Sequence, residues 1–423
     1  MLELIIAIFI LGYSSIALEH PLKINKSGSA ILMGILIWTI YTIGWPARDT
    51  VSEMAHHLSS ISEILFFLVG AMTIVEVIDA HDGFNLITNR ITTRSKLRLM
   101  WILAILTFFF SAILDNLTTT IVMVSLVRKL IERRDQRLFF AGMTVIAANA
   151  GGAWSPIGDV TTTMLWIGGQ ITTMNIIKTL FLPSVVCALV PLIYVTLFQG
   201  KNLEGDLPKM KRKEIEPENK LIFFLGVGGL MSVPIFKQIT HLPPYVGMLL
   251  ALGVLWMVSD LLHRNKKEEV KEKYNAANAL MRIDMPSLLF FLGILLAVAG
   301  LESLHVLEHV ATWMDDTIGN KDIIIIGIGL LSAIVDNVPL VAASMGMYDM
   351  AVYPADHKIW QFIAYCAGTG GSVLIIGSAA GVAAMGLEKI DFIWYLRKMG
   401  FIALLGYLAG AAVYLLQFEM MHP

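Results

Sequence analysis

An all-α polytopic membrane fold, made of two repeats of opposite orientation, is what this sequence predicts. Three observations carry that expectation. Apolar runs recur along nearly the whole chain, a six-residue motif returns with its flanks at a near-constant offset, and the loops around the two copies differ in charge. Of the 423 residues, 56% are hydrophobic and 15% charged, with a mean hydropathy of +0.71. Soluble domains carry about 25% charged residues, so this composition belongs to a membrane protein. The net charge of −2 supplies no field for nucleic acid. Cys187 and Cys366 lie in apolar runs without metal-ligand spacing and read as packing residues. Met1-Leu2-Glu3 has no basic n-region, so the first apolar run reads as a span rather than a cleaved leader.

Spans are expected over 2–18, 28–46, 60–80, 138–169 and 174–199, then over 221–236, 243–263, 285–303, 358–386 and 393–418. Each approaches or exceeds the roughly 20 residues a bilayer requires. Two hydrophilic stretches interrupt them. Lys201–Lys220 carries Lys209, Lys211, Arg212 and Lys213 and reads as a cytoplasmic linker between a first repeat, 1–200, and a second, 221–423. Arg264–Arg282, rich in Lys and Glu, reads as a surface helix.

The repeat rests on three matches in order. Ser111-Ala-Ile-Leu-Asp115-Asn116 returns 221 positions later as Ser332-Ala-Ile-Val-Asp336-Asn337. Phe66-Phe67-Leu68 returns 224 later as Phe290-Phe291-Leu292, and Gly151-Gly152 with Gly158 returns 219 later as Gly370-Gly371 with Gly377. One match is within chance; three indicate a duplication. Loops flanking the first motif hold Arg90, Arg94, Lys96 and Arg98, then Arg128, Lys129, Arg133, Arg134 and Arg137. The equivalent second-half loops hold Asp315, Asp316, Lys321 and Asp322, then Asp349, Asp356 and Lys358. Basic loops stay cytoplasmic, so the second half is expected to be inverted.

Segments 98–128 and 322–348 have both ends on one side and are too short for two crossings at 1.5 Å per residue. They read as re-entrant hairpins with Asp115-Asn116-Leu117-Thr118 and Asp336-Asn337-Val338-Pro339 at their tips. Each repeat then holds about five spans, one hairpin and one broken helix. This topology leaves both termini extracytoplasmic, in the cell membrane of a bacterium (the inner one).

Backbone leaves helical geometry at membrane depth only where protein or a wet cavity surrounds it. Glycine and proline interrupt 138–169 along Asn149–Asp159 and 358–386 along Gly368–Ser378, which is where a transporter builds its binding site. Asp115, Asp159 and Asp336 fall on the tips and breaks, and intramembrane carboxylates are retained mostly for function. With Asn116, Thr118, Asn149, Thr161, Thr162, Ser372 and Ser378 they form a hard-oxygen set suited to a small cation, without sulfur or imidazole. The hydroxyls also suit a plainer role, satisfying loosened backbone. Removal from water disfavours an ionised carboxylate unless a cation sits beside it, so one aspartate holds a proton or a sodium ion but not both. That competition is a minimal antiport mechanism. Asp159 with Asp115 is the expected site of the first half, and Asp336 with Ser372 and Ser378 that of the second. Glu63, Glu76 and Asp284 stand where a relay or gate could be, or are plain structural carboxylates.

Three patterns are weighed and set aside. His305-Val-Leu-Glu308-His309 matches the H-x-x-E-H zinc-protease pattern but falls in an expected acidic outer loop, as an exposed helix end. Gly226-Val-Gly228-Gly229 lies in an apolar span, not between a strand and a helix, so it is no nucleotide loop. His56-His57 is expected in an outer loop, where it either senses pH or does nothing.

On Ser111–Thr120 (SAILDNLTTT), Asn149–Thr162 (NAGGAWSPIGDVTT) and Ser332–Leu340 (SAIVDNVPL), the chain resembles the ion transporter superfamily and, within it, the NhaD-type sodium/proton antiporters. The resemblance covers nearly the whole length. It implies two inverted repeats grouped into scaffold and transport regions, a homodimer in membrane lipid, and extrusion of Na+ or Li+ driven by H+ entry under alkaline or saline conditions. It implies no cofactor. By motif it carries the functional set onto Asp115, Asn116, Asn149, Asp159, Thr161, Thr162, Ser332, Asp336 and Asn337, with Na+ held at Asp115, Asn116, Asn149, Asp159, Asp336 and Asn337. Ser378 stands where the pattern of the first half puts Asp159, so the halves are not equivalent. The nearest rival is sodium-coupled uptake of a dicarboxylate or similar anion within the same superfamily; the rival of another class is an intramembrane metalloprotease using His305.

Overall fold

Apolar runs bounded by capping residues become helices throughout this computed structural model, which describes residues 1–89, 93–199, 216–267, 271, 274–334 and 336–421. The first half contains α1 (Leu2–Ala17), α2 (Lys26–Gly44), α3 (Thr50–Ala80), α4 (Lys96–Leu114), α5 (Asn116–Leu130), α6 (Arg134–Ala153), α7 (Val160–Ile167) and α8 (Thr173–Gln199). The second contains α9 (Pro217–Thr240), α10 (Pro244–His263), α11 (Met285–Ser303), α12 (Val306–Ile318), α13 (Lys321–Leu331) and α14 (Asn337–Met347). It ends with α15 (Lys358–Gly370), α16 (Ala379–Glu388) and α17 (Phe401–Met421). A short helix, Phe392–Tyr395, and a π-helical turn, Leu396–Gly400, lead directly into α17. Helix starts are chemically marked. Asn25, Asp49, Ser95 and Asp284 accept from the amides of Ser27, Ser52, Arg98 and Ser287, satisfying donors that a first turn leaves open.

Eight helical stretches among the described residues are long and apolar enough to cross a membrane: α2, α3, α4, α8, α9, α10, α11 and Phe392–Met420. The protein is a multi-pass helical membrane protein.

Several boundaries differ from the sequence expectation. Helix α3 starts at Thr50, ten residues early, because Asp49 caps it and helix formation does not require apolar residues. His56 and His57 therefore lie on a helix, not in a loop, and His57 Nε2 sits 3.1 Å from the Ser303 hydroxyl. The segment expected as an acidic outer loop is also helical: Asp315 and Asp316 belong to amphipathic α12. The broken helices stay helical further than expected, through Ala153 and Gly370, so Asn149, Gly151 and Gly368 lie on helix and the interruptions are 154–159 and 371–378. Segment 98–128 extends to unequal arms of 19 and 15 residues, so arm length alone excludes a crossing only for α5. Of the linker 201–220, residues 201–215 lie outside the described residues and Pro217 already begins α9. Of the expected surface helix in 264–282, Lys271, Tyr274 and Ala276–Leu280 are helical among the described residues. Arg90 and Val335 also lie outside them.

Packing crosses the halves. Helix α2 runs along α11 in the most extensive helix pairing of the molecule, and α10 packs reciprocally on α3. The α2–α11 pair is parallel: the Ser27 hydroxyl donates to the Pro286 carbonyl at 2.6 Å, and Trp38 Nε1 to the Leu296 carbonyl at 2.9 Å. Helix α4 packs on α6, and α13 on α15, through matching contacts. The Ser111 hydroxyl donates to the Ala148 carbonyl at 2.5 Å, and the Ser332 hydroxyl to the Ala367 carbonyl at 2.9 Å. A Cβ on Gly151 would strike the Phe108 carbonyl, and one on Gly370 the Gly329 carbonyl. Small residues permit such close approach, which stabilises helix pairs where water offers no driving force.

On the basic side, buried Glu388 at the end of α16 is clamped by Arg128 of α5 at 3.2 Å and Arg137 of α6 at 3.1 Å. Only the carboxylate is out of water, the arginines being 52% and 23% exposed, and a buried charge persists when it is paired this closely.

Gly151→Ala should lower the thermal unfolding temperature in detergent, since overpacking against fixed backbone costs about 1–3 kcal/mol. Gly228→Ala, with open space around its Cβ, should unfold at the same or a higher temperature.

Candidate functional site

Four helix starts converge on one buried polar cluster, and each is capped by an acidic or hydroxyl side chain. Asp159 precedes α7 in extended backbone, φ −148° and ψ 147°, which turns its carboxylate back onto the Thr161 amide at 2.9 Å. Ser378 precedes α16 with nearly the same dihedrals, φ −146° and ψ 152°, and accepts from the Gly381 amide at 3.1 Å. The two broken helices thus share a backbone geometry and differ in the cap. Asp115 and Asp336 cap α5 and α14 through the amides of Thr118 and Val338. Asp115 holds φ +77°, a conformation that non-glycine residues adopt rarely and that concentrates at functional sites.

Asp159 is the centre. It is 1% exposed. Its Oδ1 accepts from the Thr161 amide and, at 2.8 Å, from the Thr161 hydroxyl. Its Oδ2 accepts a hydrogen bond from Asn116 Nδ2, and Asn337 Nδ2 stands 3.5 Å from both carboxylate oxygens. Asparagines that follow the two repeat-related aspartates therefore point at one carboxylate. Asn116 Nδ2 also donates to Asn149 Oδ1 at 3.0 Å, and Asn149 Nδ2 donates to the hydroxyls of Ser372 at 2.9 Å and Ser378 at 2.8 Å. Both halves thus contribute to one network whose members are buried. A narrow gap beside it is lined by Phe67, Leu68, Asp115, Asp159, Thr163 and Met248.

The remaining sequence candidates divide. Thr118 donates its amide and hydroxyl to Asp115 at 2.7 and 2.9 Å. The hydroxyls of Thr162 and Ser332 go to backbone carbonyls, of Asp159 and Ala367, as the plainer reading has it. The grouping of Asp336 with Ser372 and Ser378 is not what the side chains make: both serines bond Asn149, while Asp336 meets the ammonium of Lys26 at 3.2 Å. The reason is reach, since Asn149 projects from α6 across to the start of α16. Asp284 is an exposed cap on Ser287. Glu63 and Glu76 are half-buried on α3, with Lys237 and Arg282 as their cationic neighbours. His305 and Glu308 pair with each other at 2.9 Å on an exposed helix end.

Sequence reasoning missed Lys26. It borders a span, where a lysine ordinarily reaches out to the interface, and nothing in the sequence links position 26 to position 336.

Chemically, the cluster offers a carboxylate, amide oxygens and hydroxyls in a dry interior, with three more aspartate or serine caps around it. Helix starts carry partial positive charge. Here the caps themselves take the place that an anion would occupy.

The sequence profile of a family described as citrate transporter matches residues 6–361. Among curated relatives, sodium/proton antiporter 1 of Arabidopsis thaliana is 52% identical over 96% of this chain and 71% of its own length. Sodium/proton antiporter 2 of the same plant is 48% identical over 96% of this chain and 98% of its own. The Na(+)/H(+) antiporter NhaD of Vibrio cholerae is 33% identical over 97% and 90%.

Removing the bridge should loosen the whole cluster. Asn149→Ala removes an acceptor from Asn116, which keeps Asp159, and a donor from Ser372 and from Ser378, of which Ser378 keeps the Gly381 amide, at about 1–3 kcal/mol for each group left unsatisfied. Its unfolding temperature in detergent should fall further than that of Thr118→Ala, which leaves Asp115 the Thr118 amide.

Proposed function

This chain belongs to the NhaD-type sodium/proton antiporter family, and on that premise we propose that it exchanges Na+ or Li+ for H+ by alternating access, with Asp159 at the exchange site. It is a transporter and not an enzyme. The observation that carries the proposal is a single buried carboxylate approached by asparagines from both repeats. A proton neutralises that carboxylate; a sodium ion replaces the proton and recruits Asn116, Asn149 and hydroxyl oxygens as further ligands. Occupancy by one excludes the other, which couples their movements in opposite directions.

Asp115 and Asp336 flank this site, at the tips of re-entrant hairpins that move against a scaffold containing α2, α3, α10 and α11. The basic ends of α5 and α6 face the cytoplasm, and the acidic stretch around Asp349 faces outward, leaving both termini outside. The second hairpin returns to its own side because α13 and α14, at 11 residues each, span only about half a bilayer, and the first because α5, at 15 residues, falls short of a full crossing.

The name of the wider family makes sodium-coupled citrate uptake the second reading. Against it stands the chemistry of the cluster, where aspartates occupy the helix starts that would cradle a carboxylate substrate.

In everted vesicles or proteoliposomes, adding Na+ or Li+ should dissipate an imposed proton gradient, and Asp159→Asn should reduce that response to background. No response to either ion, together with sodium-dependent citrate accumulation, would sink the antiporter reading. For topology, Glu132→Cys and Ala351→Cys, both at exposed positions, should react with an impermeant thiol reagent from opposite faces of the membrane. Native Cys187 and Cys366 are buried and should stay silent.

A further inference from the structure

The two repeat-related aspartates have different surroundings. Asp115 accepts from the Thr118 amide and hydroxyl, and among the described residues no basic side chain pairs with it. Asp336 instead holds the Lys26 ammonium at 3.2 Å, with the two side chains 18% and 8% exposed. The same ammonium lies 4.4 Å from the centre of the Phe290 ring, which is wholly buried on α11. The Lys26 amide donates to Glu19 at 3.2 Å, and neighbouring Ser27 ties the start of α2 to the start of α11. The lysine is thus mounted on the α2–α11 pair, whereas its carboxylate belongs to α14.

We propose that Lys26 is a tethered cation that competes with the transported cation for Asp336. The inference rests on reading the aspartate cluster as an ion site. A lone carboxylate in a low-dielectric interior balances one positive charge, and a second cation a few ångströms from an ammonium is repelled strongly. The lysine can yield because its stem is flexible and its head is a rotatable point charge. The face of Phe290, already 4.4 Å from the ammonium, stays as a partner for it when the carboxylate is taken, since an aromatic ring attracts a desolvated cation. Displacement also unlinks α14 from α2, so ion arrival and freedom of the second hairpin become one event. Among the described residues the first half has no such competitor, which makes the two halves unequal toward the same ion.

Sodium titrations of proton release in proteoliposomes test this. Lys26→Met should lower the KM for Na+ by roughly 3- to 10-fold as the competing charge is removed, and Lys26→Arg should restore it. Phe290→Leu, which keeps an apolar side chain but removes the ring face, should raise KM. If Lys26 were only a structural tie, Lys26→Met would lower maximal rate and thermal stability with KM unchanged, and the proposal would fall. Should Lys26→Met fold but not transport, the Na+ concentration giving half-maximal thermal stabilisation in detergent reads the same competition: a lower value supports it and an unchanged one refutes it. Should that variant not fold at all, an unchanged KM in Phe290→Leu refutes it. Wild-type protein that releases no protons on sodium addition would defeat the antiporter reading instead.

Discussion

A carboxylate cannot stay in a dry interior unless something answers its charge, and most of what is distinctive in this molecule answers Asp159. Two asparagines, a threonine hydroxyl and a backbone amide converge on it, drawn from the starts of three helices. Those helices must begin in mid-molecule for their first residues to arrive there, so the chain is interrupted at 115, 154–159, 336 and 371–378 instead of crossing in unbroken rods. The glycine-to-carbonyl contacts at Gly151 and Gly370 then follow as a packing requirement, because an interrupted helix has fewer residues with which to hold its neighbour. Function and fold share one constraint.

Much of this was legible in the residues. Apolar runs located the long helices other than α3 to within a few positions, and the paired motifs at 115 and 336 located both helix pairs. What was not legible has identifiable causes. Periodicity reports apolar faces, so it was silent on the polar first three turns of α3 and on α12, whose helices need only capping and one apolar stripe. Glycines at 151, 152 and 370 read as breaks, but buried against a carbonyl they sit inside a helix at little cost. The candidate aspartates were recoverable because an acid in an apolar run is conspicuous. Their partners were less so: whether Ser372 faces Asp336 or Asn149 is settled by the direction in which α6 projects. Lys26 left no sequence signal at all, since a lysine at the edge of a span looks the same whether it reaches water or an acid more than three hundred residues away.

The two copies preserve backbone while dividing labour. Asp159 and Ser378 have matching dihedrals and the same capping role, and Ser111 and Ser332 make the same bond to the adjoining helix. Charge is distributed differently. One copy has a central acid and an aspartate without a basic partner among described residues; the other has a hydroxyl and an aspartate joined to an ammonium. Matching geometry with altered charge gives the two copies unlike surroundings within one buried cluster.

Asn149 shows how far that divergence has gone. Its counterpart is Gly368, which carries no side chain and at which a Cβ would lie in ordinary contact with the Ala153 methyl at 3.4 Å and the Thr161 hydroxyl at 3.7 Å. A lock of this shape has a single key. The bridge to Ser372 and Ser378 is therefore made from α6 alone, and no repeat-related amide answers it from α15.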